Sequence, residues 1–149
     1  MRSANCYLPW EAEIIERVQE TPDTFTWKLR FTDPEIARGY TFRHGQFNML
    51  YLFGAGEVAI SVMSGDGDSL WHTIRAVGRV TRTMMELPVG SRIGVRGPFG
   101  RGWPLQEARG QDLVFVTAGL GCAPVMSSIR YVEAHRADYG RLVIMQSVR

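Results

Sequence analysis

Lysine is almost absent from this 149-residue chain: of its 17 basic residues only Lys28 is a lysine, and the arginines are spread along the sequence. With a net charge of +2, that spread leaves no basic stripe and gives no electrostatic footing for a nucleic-acid partner. Cysteine is equally scarce. Cys6 and Cys122 lie far apart and form no CxxC pair, so an iron–sulfur cluster such as 2Fe–2S is not expected within these residues, nor a zinc ion. His44, His72 and His135 are scattered as well, and no metal is assigned. No apolar run approaches the roughly 20 residues that span a bilayer. Met1 to Asn5 do not open an apolar stretch of the signal-peptide kind, so the expectation is a cytoplasmic protein without a membrane partner.

What is present is an ordinary globular composition, 45% hydrophobic and 21% charged. Thr24 to Phe31 alternates cleanly, with Phe25, Trp27, Leu29 and Phe31 on one side and Thr24, Thr26, Lys28 and Arg30 on the other. Ala12, Ile14 and Val18 alternate more loosely before the turn residues Thr21-Pro22-Asp23. Further strands are expected at 47–53, 58–63, 70–77 and 92–96, separated by Gly-, Asp- and Pro-rich breaks. Six short strands of this kind predict a closed antiparallel barrel, which removes exposed edges.

From Gln111 the pattern changes. Leu113 to Val116 is a continuous apolar run, as expected of a parallel strand covered on both faces. A glycine turn follows, then a helix over 124–136 with Val125, Ile129 and Val132 on one face, then a second buried strand at 142–145. Two parallel strands leave much apolar surface uncovered, so this βαβ unit is expected to be incomplete.

Three segments carry possible chemistry. In Val58-Ala59-Ile60-Ser61-Val62, a strand ending in a small hydroxyl residue lets a flat ligand lie against its backbone, although such strands also furnish any barrel. In Thr73-Ile74-Arg75 through Gly78-Arg79-Val80-Thr81, Gly78 permits a close turn and Thr81 can cap a short helix. The free amides there would suit a pyrophosphate, with Arg75 and Arg79 adding charge, and a capped helix with solvated arginines is the alternative. Gly119, Gly121, Cys122, Ala123 and Pro124 follow a buried strand and open a helix, the setting in which a glycine turn meets a dinucleotide phosphate. Cys122 reads as a small residue in a tight turn rather than a redox thiol.

Taken in order with Tyr7-Leu8-Pro9, Glu20 to Thr24, Gly45-Gln46-Phe47 and Val95 to Gly100, these segments resemble the ferredoxin–NADP reductase superfamily. Within it they are most similar to the gamma (diaphorase) subunits of cytoplasmic nickel–iron hydrogenases, or sulfhydrogenases. The anaerobic sulfite reductase B subunit and the electron-transfer subunit of dihydroorotate dehydrogenase are related. The resemblance implies a six-stranded antiparallel Greek-key FAD-binding barrel over residues 1–104, followed by a truncated α/β nicotinamide-binding domain over 105–149. It places Val58 to Val62 along the flavin with Ser61 near the isoalloxazine. Thr73, Ile74 and Arg75 fall at the ribityl and phosphate region, and Gly78, Val80 and Thr81 at the pyrophosphate. Gly119, Gly121, Cys122, Ala123 and Pro124 fall at the nicotinamide dinucleotide.

The implied activity is electron transfer between NAD(P)H and the iron–sulfur and catalytic subunits of a multisubunit oxidoreductase, with no catalytic acid or base from this chain. Two departures bear on it. Val58-Ala59-Ile60-Ser61 stands where many members carry Arg-x-Tyr-Ser or Arg-Pro-x-Ser, and Ala118 replaces the first glycine of the usual turn. The first of these weakens the hold on FAD. NAD(P)H binding is expected to be weak or absent in this chain because a nicotinamide crevice needs the carboxyl ends of several parallel strands and only two are expected here. The competing expectation is a docking or assembly module that keeps the flavin barrel and has lost nicotinamide binding.

Overall fold

The alternation of Thr24–Phe31 builds β2, which pairs antiparallel with a long first strand β1 (Trp10–Thr21). The turn between them is chemically fixed. Asp23 accepts hydroxyl bonds from Thr21 (2.9 Å) and Thr24 (3.0 Å) and the Arg75 Nε–H at 2.7 Å. The computed structural model of the chain describes residues 7–148; Met1 to Cys6 and Arg149 lie outside the described residues, and with them Cys6 and the N-terminal stretch Met1 to Asn5.

The remaining elements of the first part are α1 (Pro34–Gly39), β3 (Phe47–Leu52), β4 (Gly56–Ser61), β5 (Ser64–Asp66), β6 (Ser69–Arg75), α2 (Arg79–Met85) and β7 (Arg92–Phe99). The sheet runs in the order β4-β3-β7-β1-β2-β6-β5. It has seven strands rather than the six expected, and it is barrel-like without being closed by a ladder. Its two end strands, β4 and β5, are consecutive in the chain. At Val62-Met63 the backbone leaves β3, where Val62 N–H bonds Gln46 O (3.0 Å), and joins β6, where Met63 N–H bonds Trp71 O (2.9 Å). One bent segment therefore carries the sheet from one end to the other, and a seam between β4 and β6 is left without strand pairing.

The core of this part gathers Ile14, Phe25, Trp27, Leu29, Leu50, Val62, Ile74, Met84 and Val95. Fully burying each large apolar side chain stabilises the fold by roughly 1.5–3 kcal/mol. Thr24 and Thr26, on the other side of β2 from the aromatic and leucine residues, are buried as well. Thr26 gives its hydroxyl hydrogen to Glu20 Oε1 at 2.7 Å and meets Thr73 Oγ1 at 2.9 Å, so the outer face of β2 is covered by side-chain hydrogen bonds.

The second part consists of β8 (Leu113–Ala118), a 3-10 turn at Gly119–Cys122, α3 (Ala123–Ala134) and β9 (Leu142–Ser147), with β8 and β9 parallel. The βαβ order is as expected, and Val125, Ile129 and Val132 are buried. Val132 packs in a cluster with Leu105, Leu113, Phe115, Tyr139 and Leu142. The expectation of strands covered on both faces is corrected. Val114 and Val116 are 59% and 73% exposed, and Val143, Ile144 and Met145 are exposed beside them, so the packed residues of the two strands are Leu113, Phe115 and Leu142.

The two parts touch along α3. Arg130 Nη1 donates to Ser64 Oγ at 2.9 Å, and the Tyr131 ring lies on His44. Beside this contact a cavity of about 890 Å³ is lined by Arg43, His44, Arg101, Trp103 and Tyr131, among others. Gly45, at φ +90°, lies directly against the Trp103 ring, where no Cβ could fit. Among the described residues no helix is long and apolar enough to cross a membrane, and no cluster of potential metal ligands occurs.

Candidate functional site

The seam between β4 and β6 brings the first two sequence segments together. Val58 and Ile60 on β4 are half-buried against the core, and Val62 just beyond it is fully buried in it. The alternate residues Ala59 and Ser61 point outward, as strand geometry requires. Ala59 is exposed, and the Ser61 hydroxyl makes no hydrogen bond among the described residues. β4 pairs with β3 along one edge only, and its other edge forms no ladder. Unpaired main-chain donors and acceptors beside two small side chains suit a flat ligand with polar groups along its rim.

Across the seam on β6, Ile74 is fully buried and belongs to the core. Thr73 Oγ1 is engaged with Thr26 (2.9 Å) and lies 3.0 Å from Met63 Sδ, so its single hydrogen is committed internally. Arg75, expected to contribute free positive charge, is paired with Asp23 at 2.7 Å. The hydrogen bond from Arg75, with those of Thr21 and Thr24, lowers the Asp23 carboxyl to about 2.

At the end of β6 the chain turns into α2, and here a detail of the expectation is corrected. Thr81 is not the residue before the helix. The helix begins at Arg79 with Gly78 at its cap, and Thr81 sits in the first turn. Its Oγ1 accepts from Val77 N–H (3.1 Å) and Gly78 N–H (3.0 Å) and donates to Gly78 O (3.2 Å). The buried hydroxyl thus sets the shape of the turn from inside. Gly78 is extended rather than left-handed, and a Cβ there would meet nothing within 4 Å. Neither the backbone nor the packing of the chain requires glycine at 78, and the space beyond it is open. Arg79 Nη2 reaches back to Ala55 O at 3.0 Å and ties α2 to the β3–β4 hairpin, while Val80 lies against Gly56.

Gly119, Gly121, Cys122, Ala123 and Pro124 form the 3-10 turn and the start of α3. Gly119 has φ +50°, Cys122 is a half-buried free thiol, and Ala123 is buried. At Gly121, as at Gly78, a Cβ would meet nothing within 4 Å. These five residues lie on the second part of the chain, on elements separate from the β4–β6 seam.

Two features escape a reading of the sequence. Phe53, at the tip of the β3–β4 hairpin, is 89% exposed. His72 is fully buried beside the seam, its Nδ1 2.9 Å from Ser61 O and its Nε2 3.3 Å from Asn48 Nδ2. Burial holds this imidazole down at about 4 against the opposing pull of the Ser61 and Ile60 carbonyls. For α1 the sequence does hold a signal, Asp33-Pro34-Glu35, because Asp33 Oδ1 caps Glu35 N at 2.8 Å. Nothing local marks His72, whose partners lie 11 and 24 residues away.

No protein-family model matches the chain. It is 36% identical over 151 aligned positions to the sulfhydrogenase 1 gamma subunit of Pyrococcus furiosus, spanning all of this chain and 52% of that one. It is 32% identical over 117 positions to a "Probable dihydroorotate dehydrogenase B (NAD(+)), electron transfer subunit" of Methanocella arvoryzae, spanning 78% of this chain and 41% of that one. The chain therefore spans about half the length of the curated relatives it matches. Its fold superposes with a TM-score of 0.75 on a crystal structure of a ferredoxin NADP+ reductase from Neisseria gonorrhoeae with bound FAD and NADP, at 26% identity and covering 91% of this chain and 56% of that one. In sequence the chain is a relative of the sulfhydrogenase gamma and dihydroorotate dehydrogenase B electron-transfer subunits, and its fold is that of the ferredoxin–NADP reductase-like proteins.

Proposed function

We propose that this chain binds FAD across the β4–β6 seam. It would serve as the flavin part of a cytoplasmic electron-transfer subunit, passing electrons between NAD(P)H and the iron–sulfur and catalytic subunits of a multisubunit oxidoreductase of the nickel–iron hydrogenase kind. The observation that carries this is the unladdered edge of β4, with Ser61 at one end and the α2 turn at the other. Bound there, the flavin would supply hydride acceptance from a nicotinamide and release of electrons singly to partner centres.

The chain's own residues bind and orient. Ala59 and Ser61 offer a small outer surface with one free hydroxyl, and the β4 edge offers backbone groups to the isoalloxazine rim. Thr81 takes the Val77 and Gly78 amides itself and so fixes the Gly78–Thr81 turn, where the pyrophosphate would be held. Gly119 to Pro124 would receive the nicotinamide dinucleotide.

FAD fits better than FMN because β4 acts as a ruler. From Ser61 to Gly56 the strand advances about 17 Å, at about 3.4 Å per residue. Gly56 touches Val80 of the α2 turn, so a ligand with its ring at Ser61 and its phosphates at that turn directs anything further toward the β3–β4 hairpin. Phe53 waits there with an exposed ring, a stacking platform for adenine. Purified protein mixed with FAD should retain flavin absorption through gel filtration and quench flavin fluorescence. A protein that stays colourless with excess FAD overturns the proposal.

A further inference from the structure

We propose that His72 is a positioning residue for the flavin site, holding the Ser61 carbonyl, and with it the outward Ser61 hydroxyl, through a one-way chain of hydrogen bonds that starts at Tyr40. The role assigned to Ser61 rests on the flavin proposal above; the chain of bonds does not.

The order of donors is forced by chemistry. Tyr40 Oη lies 2.6 Å from Asn48 Oδ1, an oxygen that can only accept, so Tyr40 donates. The other end of the same amide, Nδ2, has only hydrogens to offer and lies 3.3 Å from His72 Nε2, so that nitrogen must carry the lone pair. Nδ1 then carries the hydrogen and donates to Ser61 O at 2.9 Å, an atom that can only accept. Each assignment fixes the next, and the imidazole is left neutral in a single tautomer.

The surroundings keep the chain intact. Asn48 and His72 are both fully buried, so water does not compete for their bonds. Gly97 gives Asn48 its room, because a Cβ at 97 would collide with Asn48 Oδ1. The relay also spans the place where the ladder is missing: Asn48 sits on β3, His72 on β6, and Ser61 at the end of β4, with no β4–β6 pairing to set their spacing. On its β3 side Ser61 is registered opposite Phe47. On the seam side, its carbonyl is held by the hydrogen bond from His72. Rotation of the Ser61 peptide would swing the adjoining side chain, and His72 resists it.

The test uses the full chain loaded with FAD, and compares wild type with His72→Leu, Ser61→Ala and the double variant. His72→Leu should weaken FAD binding by about fivefold to tenfold, the scale of one hydrogen bond, and shift the flavin midpoint potential measured at full occupancy. In the Ser61→Ala background, His72→Leu should produce no further shift in potential, since both act through one group. An unchanged potential in His72→Leu, or shifts that simply add, overturns the proposal, because a merely structural histidine would alter melting temperature alone. If His72→Leu does not fold, Tyr40→Phe removes the head of the chain and is held to the same potential measurement. Nitrogen NMR of the wild-type imidazole is an independent check: a hydrogen on Nε2 rather than Nδ1 overturns the relay. A wild-type chain that takes up no FAD overturns the flavin proposal instead, and is seen before any variant is compared.

Discussion

The Tyr131 ring of α3 lies tilted against His44 of the barrel, with centroids 4.7 Å apart, and stacks on His135 at 4.1 Å. Burial, and then the proximity of His135, lower the pKa of His44. His72, deeper in the barrel, is lowered to about 4, chiefly by burial. Both histidines therefore favour the neutral form when folded, one at the join between the two parts and one at the seam.

Their common direction sets a pH dependence. An unfolded histidine takes up its proton near 6.5, while folded His72 takes it up only near 4, so the unfolded state binds more protons between those values. Stability should be level above about pH 7 and fall as pH drops from 6.5 toward 4. His72 alone should account for roughly 3 kcal/mol. Asp23, lowered to about 2, titrates below this window. Urea midpoints measured from pH 8 to pH 4.5 check this, and a midpoint that does not move refutes it.

Phe53→Ala should discriminate between flavins. Removing a stacking surface for adenine costs about 1–3 kcal/mol where such stacking is made, so FAD affinity should fall at least fivefold while FMN affinity stays level. Equal losses for both ligands would remove Phe53 from the adenine end of the site.

Ile129→Asp should be severely destabilising. Ile129 is 6% exposed on the same helical face as Val125 and Val132, and a carboxylate introduced there would be buried without a built partner. The expected loss is about 3 kcal/mol or more. A chemical denaturation curve matching the wild type would contradict the packing of α3.

Nicotinamide binding by the 149-residue polypeptide alone should be weak. The crevice that receives a dinucleotide is walled by the carboxyl ends of several parallel strands, and β8 and β9 are two. Val114, Val116, Val143 and Met145 lie exposed together on one face of that sheet, so the polypeptide should also associate as its concentration rises. Titration of NADH into the flavin-loaded protein tests the first point. Rapid bleaching at micromolar NADH would show that two strands suffice. Sedimentation over a range of concentrations tests the second.

The parts of the molecule legible in the sequence are those built from local pattern. Phe25, Trp27, Leu29 and Phe31 announce β2 because a strand half-buried in a core needs that alternation. Ala123 to Ala134 shows its helix through the spacing of Val125, Ile129 and Val132. β5 is illegible because Ser64-Gly65-Asp66 has no apolar residue to alternate; only its pairing with Ser69 to Trp71 makes it a strand. That β8 and β9 leave apolar surface uncovered is legible from there being two strands, but which residues bear it is not, because an apolar run states what a strand can bury, not what is present to cover it. At the site, the glycines and hydroxyls are readable, but their orientations are not. That Thr81 bonds back into its own turn, or that Arg75 is taken by Asp23, depends on contacts the chain makes only once folded.

The open edge of β4 has a consequence for handling the protein. Bare strand edges are adhesive, because a row of unpaired amides and carbonyls templates a strand from any neighbouring molecule. A ligand lying along that edge would act as a cap on the sheet as well as a redox group. Samples that bleach on storage should then be the ones that turn cloudy, and the yellow colour of a preparation would serve as a gauge of its shelf life.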